Sequence, residues 1–152
     1  MDVVIEATVQ RGARVANKNI KSQLPKLISQ FPELKDIHTA TINLRLDKPL
    51  LISKFERTTF IRWWDVDVGR AGFWHPEEFS ILPIKFEYPI NGQTKDGWLF
   101  VSHDSGYFRR AQTASGLFRF EVIEVVTEQI AGLQYGHRCK IYVEKTNAVD
   151  AG

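Results

Sequence analysis

Polar and apolar residues alternate along much of this chain, and the alternation marks out short strands. Residues 3–10 alternate and predict a first strand, followed by a loop at Arg11-Gly12-Ala13-Arg14. The period then changes. Leu24, Leu27, Ile28 and Phe31 recur at helical spacing, which predicts a helix over 21–31 with Ser22 as N-cap. Pro25 is tolerated there only in the first turn, and Pro32 closes the helix. Alternation returns at Thr41-Ile42-Asn43-Leu44-Arg45-Leu46 and again over 58–66, as one strand or two. Residues 70–76 read as an aromatic-bearing loop. Residues 79–88 and 97–102 read as a hairpin, with Pro89 ending its first strand and Asn91-Gly92 offering the turn. Residues 103–117 are polar and contain glycine, and no element is assigned to them. Strands follow over 117–126 and 139–144, separated by a short helix and a turn at Gln134-Tyr135-Gly136-His137. Residues 146–152 are expected to form a flexible tail. The sum is six or seven strands and two short helices, a mainly β fold. Such a set makes a sandwich or a closed barrel, and the pattern alone does not choose.

Within the strand at 41–46 the choice of polar residues carries chemistry. Thr41 and Asn43 are two apart, so a strand turns both oxygen-bearing side chains to one face. A hydroxyl and an amide oxygen side by side suit a hard cation such as Mg²⁺, whose other ligands are commonly water and phosphate. The plainer reading is that threonine favours strands and the asparagine faces solvent. In the 117–126 strand Glu121 and Glu124 are three apart, so strict alternation sends them to opposite faces. Glu124 is the better placed to accept a proton from a hydroxyl, and a solvent-facing glutamate is the alternative. Phe73 and Trp74 lie in a loop, where a flat ligand can be met by aromatic walls. Trp63 and Trp64 are adjacent, so one faces inward and the other out. Tyr107-Phe108-Arg109-Arg110 mixes aromatic and basic residues, but one such patch does not make a nucleic-acid protein. Ser102-His103-Asp104 has the residue types of a hydrolytic triad, yet neighbours in sequence do not converge on one site. The four histidines and Cys139 show no metal spacing. No Walker loop or dinucleotide glycine motif is present.

Taken in order, several blocks resemble the archaeal CTP-dependent riboflavin kinases. Residues 40–47, Ala-Thr-Ile-Asn-Leu-Arg-Leu-Asp, closed by Ile52-Ser53-Lys54-Phe55, are similar to that family's Gly-Thr-Leu-Asn block. Ile81-Leu82-Pro83-Ile84-Lys85-Phe86 resembles its Leu-Pro-Ile strand, and Asp96-Gly97-Trp98-Leu99-Phe100-Val101 its next strand. Residues 120–126 resemble its Glu-x-x-Glu strand. The blocks keep family order and span most of 3–145. The resemblance implies a small six-stranded cradle-loop barrel over 1–145, with the 21–31 helix inserted after the first strand. It implies transfer of a phosphoryl group from a nucleotide, CTP in the family, to riboflavin, giving FMN. By the same resemblance Thr41 and Asn43 hold Mg²⁺ and Glu124 is the base. The family's Gly-rich phosphate loop falls at 10–19, where Gly12 alone remains. Arg11, Arg14, Lys18 and Lys21 around Gly12 offer side-chain charge in place of backbone donors. The departure leaves a second reading, a non-catalytic relative that senses a small ligand or binds a protein.

Composition narrows the setting. At 152 residues the chain makes one domain with an adequate core. A net charge of +2 neither demands nor excludes an anionic partner, so phosphate binding must come from local clustering. One cysteine makes no internal disulfide. The N-terminal residues lack a basic, apolar leader pattern, and no apolar run approaches a bilayer span. These features lead to the expectation of a cytoplasmic protein that does not bind a membrane, while the nucleotide or flavin ligand is what the resemblance implies and nucleic acid is not expected. They say nothing of oligomeric state.

Overall fold

The computed structural model describes residues 2–10, 27–37, 41–55, 57–61, 77–103 and 106–150. Eight strands occur among them: β1 (Asp2–Gln10), β2 (Ile42–Ile52), β3 (Arg57–Ile61), β4 (Glu77–Glu87), β5 (Thr94–Ser102), β6 (Phe118–Thr127), β7 (Arg138–Glu144) and β8 (Ala148–Val149). Each long strand has one apolar parity that water disfavours, and six of them bury it by closing on themselves. The order is β1-β7-β4-β5-β6-β2, and β2 pairs back with β1. All of these pairings are antiparallel. The fold is therefore the closed six-stranded barrel. Closure leaves the ring without a free edge.

The barrel interior is filled by Val3, Ile5, Ala7 and Val9 of β1, Leu44, Leu46 and Leu50 of β2, and Leu82, Ile84 and Phe86 of β4. Ile141 and Val143 of β7 join them, as does Cys139, whose thiol burial pushes up to about 12. At that value it is no nucleophile at neutral pH. A second core lies on the outer wall. Leu27, Phe31, Leu34 and Ile37 pack there on Phe79, Ile81, Phe100 and Val126, with Trp98 at the margin. Residues 27–30 are helical, and a single 3-10 turn, Pro32–Leu34, follows. The remainder of the helix expected over 21–31, with Ser22 and Pro25, lies outside the described residues. Burying a large apolar side chain contributes about 1.5–3 kcal/mol, so this second layer is a substantial part of the fold.

Two prolines show how the sequence accommodates the ring. Pro83 falls where β4 changes neighbours, between its pairing with β3, which ends at Ile81, and with β7, which begins at Lys85. One edge of β4 is unpaired there, so the missing N–H costs little. Pro49 falls within a slip in the β2–β6 register, between Arg45 and Leu50. The hairpin expected from Asn91-Gly92 is present. β4 and β5 pair from Phe79↔Ser102 to Glu87↔Thr94. Asn91 takes φ 67, and the Gly92 N–H donates to the Pro89 carbonyl at 2.8 Å. Asparagine tolerates that left-handed backbone better than most residues.

One expectation is covered in part and two change. β3 is described only to Ile61, and the remainder of the strand expected over 58–66 lies outside the described residues. The unassigned stretch after β5 holds a six-residue helix, Gly106–Ala111. Its Phe108 is buried, stacked on His103 with centroids 4.2 Å apart, so it is not available to stack on a base. The tail expected to be flexible from 146 instead pairs as β8 with Leu51 and Ile52 of β2, and Asn147 and Ala148 are buried.

A guanidinium fork ties three strands on the outside. Arg138 of β7 donates to both carboxylate oxygens of Asp47 in β2, at 2.8 and 2.5 Å, and to Thr8 Oγ1 in β1 at 2.9 Å. The Arg138 hydrogen bonds hold the Asp47 carboxyl below its ordinary 3.8. A lowered carboxyl stabilises the fold above its ordinary value, and that gain is lost as pH falls through the folded value. Both side chains are about half exposed, so the gain is small. Asp47→Asn should cost under about 1 kcal/mol at neutral pH. The urea midpoints of variant and wild type should converge well below pH 3.8, and a gap that persists there would show the pair to matter by packing alone.

Candidate functional site

One row of side chains crosses three strands at the point where β1 ends. Gln10, the last residue of β1, is directly opposite Asn43 of β2, and Asn43 is directly opposite Glu124 of β6. Opposed residues of an antiparallel pair share a face, with Cβ atoms about 4.5–5.5 Å apart. The neighbours Leu44, Ile123 and Val125 are in the barrel core, so Asn43 and Glu124 face outward. The row lies on the outer wall, two residues along β6 from Val126 of the second core.

Asn43 and Glu124 stand out within it. Asn43 is 9 % exposed, and its Oδ1 is buried without a hydrogen-bond donor. Buried acceptors in folded proteins are nearly always satisfied, and leaving one unmade costs about 1–3 kcal/mol. Glu124 is partly buried, and desolvation raises its carboxyl above the ordinary glutamate value. A hydrogen-bond donor or a cation would pull the other way. A donorless amide oxygen is therefore opposite a carboxyl that burial makes harder to ionise.

The sequence reading placed Thr41 and Asn43 on one strand face. The structure begins β2 at Ile42, so the pleat that would align the two starts one residue after Thr41, which is partly buried beside it. The premise used for Glu121 and Glu124 also changes. Phe120 and Ile123, likewise three apart, are both in the barrel core, because the β2–β6 register slips between them. Glu121 is exposed and ion-paired with Arg119 at 2.7 Å, away from any enclosed site. Arg11, Gly12, Arg14, Lys18, Lys21, Phe73 and Trp74 lie outside the described residues, as do Trp63 and Trp64. Topology still bears on the first group. β1 ends at Gln10 and the described chain resumes at Thr41 before β2, so the connection between the two strands starts and finishes beside the row that holds Asn43.

Those residues fit a hard cation of modest charge demand. Among the described residues no group of three or more His, Cys, Asp or Glu side chains converges. A cation here would rest on one carboxylate and neutral oxygens, as Mg²⁺ does when phosphates and water complete its shell.

Sequence reasoning missed a hydrogen-bonded chain. It discounted Ser102-His103-Asp104 because sequence neighbours do not converge, yet His103 meets two other residues. Its Nε2 is 2.6 Å from Ser80 Oγ, and its Nδ1 is 3.0 Å from Glu78 Oε2. Ser80 and Glu78 are two apart on β4, so a strand brings both to His103, and no sequence motif announces that. Ser80 is fully buried, and Phe108 covers the imidazole. The chain fastens the end of β5 to β4 and offers no open nucleophile. A groove of about 440 Å³ at the opposite end of β1 is lined by Asp2, Lys85, Glu87, Asp96 and Tyr142. Four of these groups are already engaged: Lys85 pairs with Asp96, and Glu87 accepts from Tyr142 Oη at 2.7 Å.

No family model matches the chain, and no curated protein is similar to it. Among the described residues no helix is long and apolar enough to cross a membrane.

Proposed function

We propose that the chain is a riboflavin-kinase-like barrel that binds a nucleotide and a flavin-type acceptor with Mg²⁺. It would transfer a phosphoryl group from the nucleotide, CTP by resemblance, to riboflavin. The primary hydroxyl oxygen of riboflavin would bond to the terminal phosphorus as the bond to the nucleoside diphosphate breaks. FMN and the diphosphate leave, and the hydroxyl proton passes to a base or water. The observation that carries this reading is the buried, donorless Oδ1 of Asn43, directly across from Glu124 and next to the end of β1.

Thr41 and Asn43 would hold the metal, which when bound offsets charge on the phosphate oxygens. The basic residues Arg11, Arg14, Lys18 and Lys21 would meet the phosphates from the insertion. Phe73 and Trp74 would flank the flat ring of flavin or base. The replacement of the glycine-rich loop by a stretch with Gly12 alone favours a second reading, a barrel that senses such a ligand without turning it over.

Thermal unfolding with Mg²⁺ and CTP, ATP or GTP, and separately with riboflavin or FMN, tests both. A ligand at a hundredfold its dissociation constant adds about 2.7 kcal/mol, which raises the melting temperature by several degrees. One nucleotide should give a Mg²⁺-dependent shift that Thr41→Ala and Asn43→Ala abolish, and FMN should form when riboflavin is added. A shift without turnover selects the sensing barrel. Shifts that survive both substitutions remove the metal assignment.

A further inference from the structure

We infer that Glu124 is itself a ligand of the cation, beside Asn43, in a site that binds a divalent metal before any nucleotide arrives. The inference rests on the metal part of the proposed function and makes Glu124 a metal ligand in place of the base that the resemblance implies.

Three observations carry it. The β2–β6 register sets Asn43 and Glu124 opposite each other, so their side chains leave the wall side by side. Asn43 Oδ1 is buried with no donor. Among the described residues the Glu124 carboxylate has no hydrogen-bond donor or cationic partner either, whereas other carboxylates of the barrel do: Asp47 has Arg138, and Glu87 has Tyr142 and the Asn91 N–H. An amide oxygen and a carboxylate oxygen repel each other when both are desolvated and nothing positive lies between them. A hard divalent cation removes that repulsion and uses both lone pairs at once. A general base serves a different purpose. It must present its free lone pair to a substrate hydroxyl. A carboxylate beside an unsatisfied amide oxygen is arranged for a shared cation.

Among the described residues the opposing groups are few. Gln10 completes the row and is neutral, so it adds no charge that competes with the metal. Arg45 is exposed and two residues along β2, opposite Val122 and not Glu124.

The test uses Mn²⁺ alone, with no nucleotide or flavin, read by the loss of its free-ion electron paramagnetic resonance signal on titration into the full chain. Wild type should bind one Mn²⁺, and Mg²⁺ should displace it. Glu124→Gln should weaken binding at least about tenfold, as loss of a metal-site partner does. Asn43→Asp supplies a second carboxylate and should tighten it, an outcome that a purely structural asparagine would not give. Equal Mn²⁺ affinity in Glu124→Gln and wild type would overturn the inference, as would the absence of any Mn²⁺ binding by wild type. Neither result touches nucleotide binding, so the kinase-like reading stands or falls on its own shift measurement.

Discussion

Phe31→Ala should cost the protein about 3–5 kcal/mol, among the largest effects of any single truncation here. Phe31 is 1 % exposed, yet it lies outside the barrel, in the layer where residues 27–37 cover β4, β5 and β6. Removing the ring deletes contacts with a wall of large side chains on rigid strands, which are slow to collapse into the space. Natural domains are stable by only about 5–15 kcal/mol, so the loss is a large share of the total. With a urea slope of about 2 kcal/mol per molar, the unfolding midpoint should fall by roughly 2 M with the slope unchanged. A drop below about 0.5 M would mean that the insertion opens separately while the barrel persists.

The strands were legible because their inner faces are apolar and their outer faces largely polar. β1 is the clear case, buried at Val3, Ile5, Ala7 and Val9 and more exposed between. The second core left a fainter signal. In Phe79-Ser80-Ile81-Leu82-Pro83-Ile84 the alternation is filled in, as befits a strand covered on both sides. Read that way, the run predicts an outer layer, and the helical spacing at 27–31 supplies it. The Gly106–Ala111 helix was not legible. Six residues are too few for periodicity, and Phe108 packing on His103 and Phe118 holds the helix in place, a tertiary effect. β8 was hidden for the same reason, since two residues carry no pattern.

Of the candidate site, the residue types were readable and their meeting was not. Asn43 and Glu124 are about eighty positions apart, and only the β2–β6 register makes them neighbours. That register contains a slip, which counting by twos along β6 would miss. Strict alternation separated Glu121 from Glu124 for a reason that fails at the slip, although Glu124 was the residue preferred. The His103 chain is the same lesson: its partners Ser80 and Glu78 come from the strand that pairs with β5, not from the residues beside it.

Asn43→Leu should make the metal-free protein more stable and the site inert. An amide of similar size to leucine sits in the barrel's outer wall with its oxygen buried and without a donor. Its apolar replacement removes that unmade hydrogen bond, worth about 1–3 kcal/mol, and adds buried apolar area in its place. Surface and wall substitutions seldom stabilise by so much, so the sign alone is informative. The same change removes the amide oxygen from the row, so the Mg²⁺-dependent nucleotide shift and Mn²⁺ binding should both disappear. Urea unfolding in the presence of a chelator reads the first effect, and the two titrations read the second. If Asn43→Leu instead loses 1 kcal/mol or more without metal, the amide serves the wall itself, and the pairing of Asn43 with Glu124 has a structural cause. A gain in stability joined to a loss of binding is the expected mark of a residue whose polar atom is satisfied only when a ligand is present.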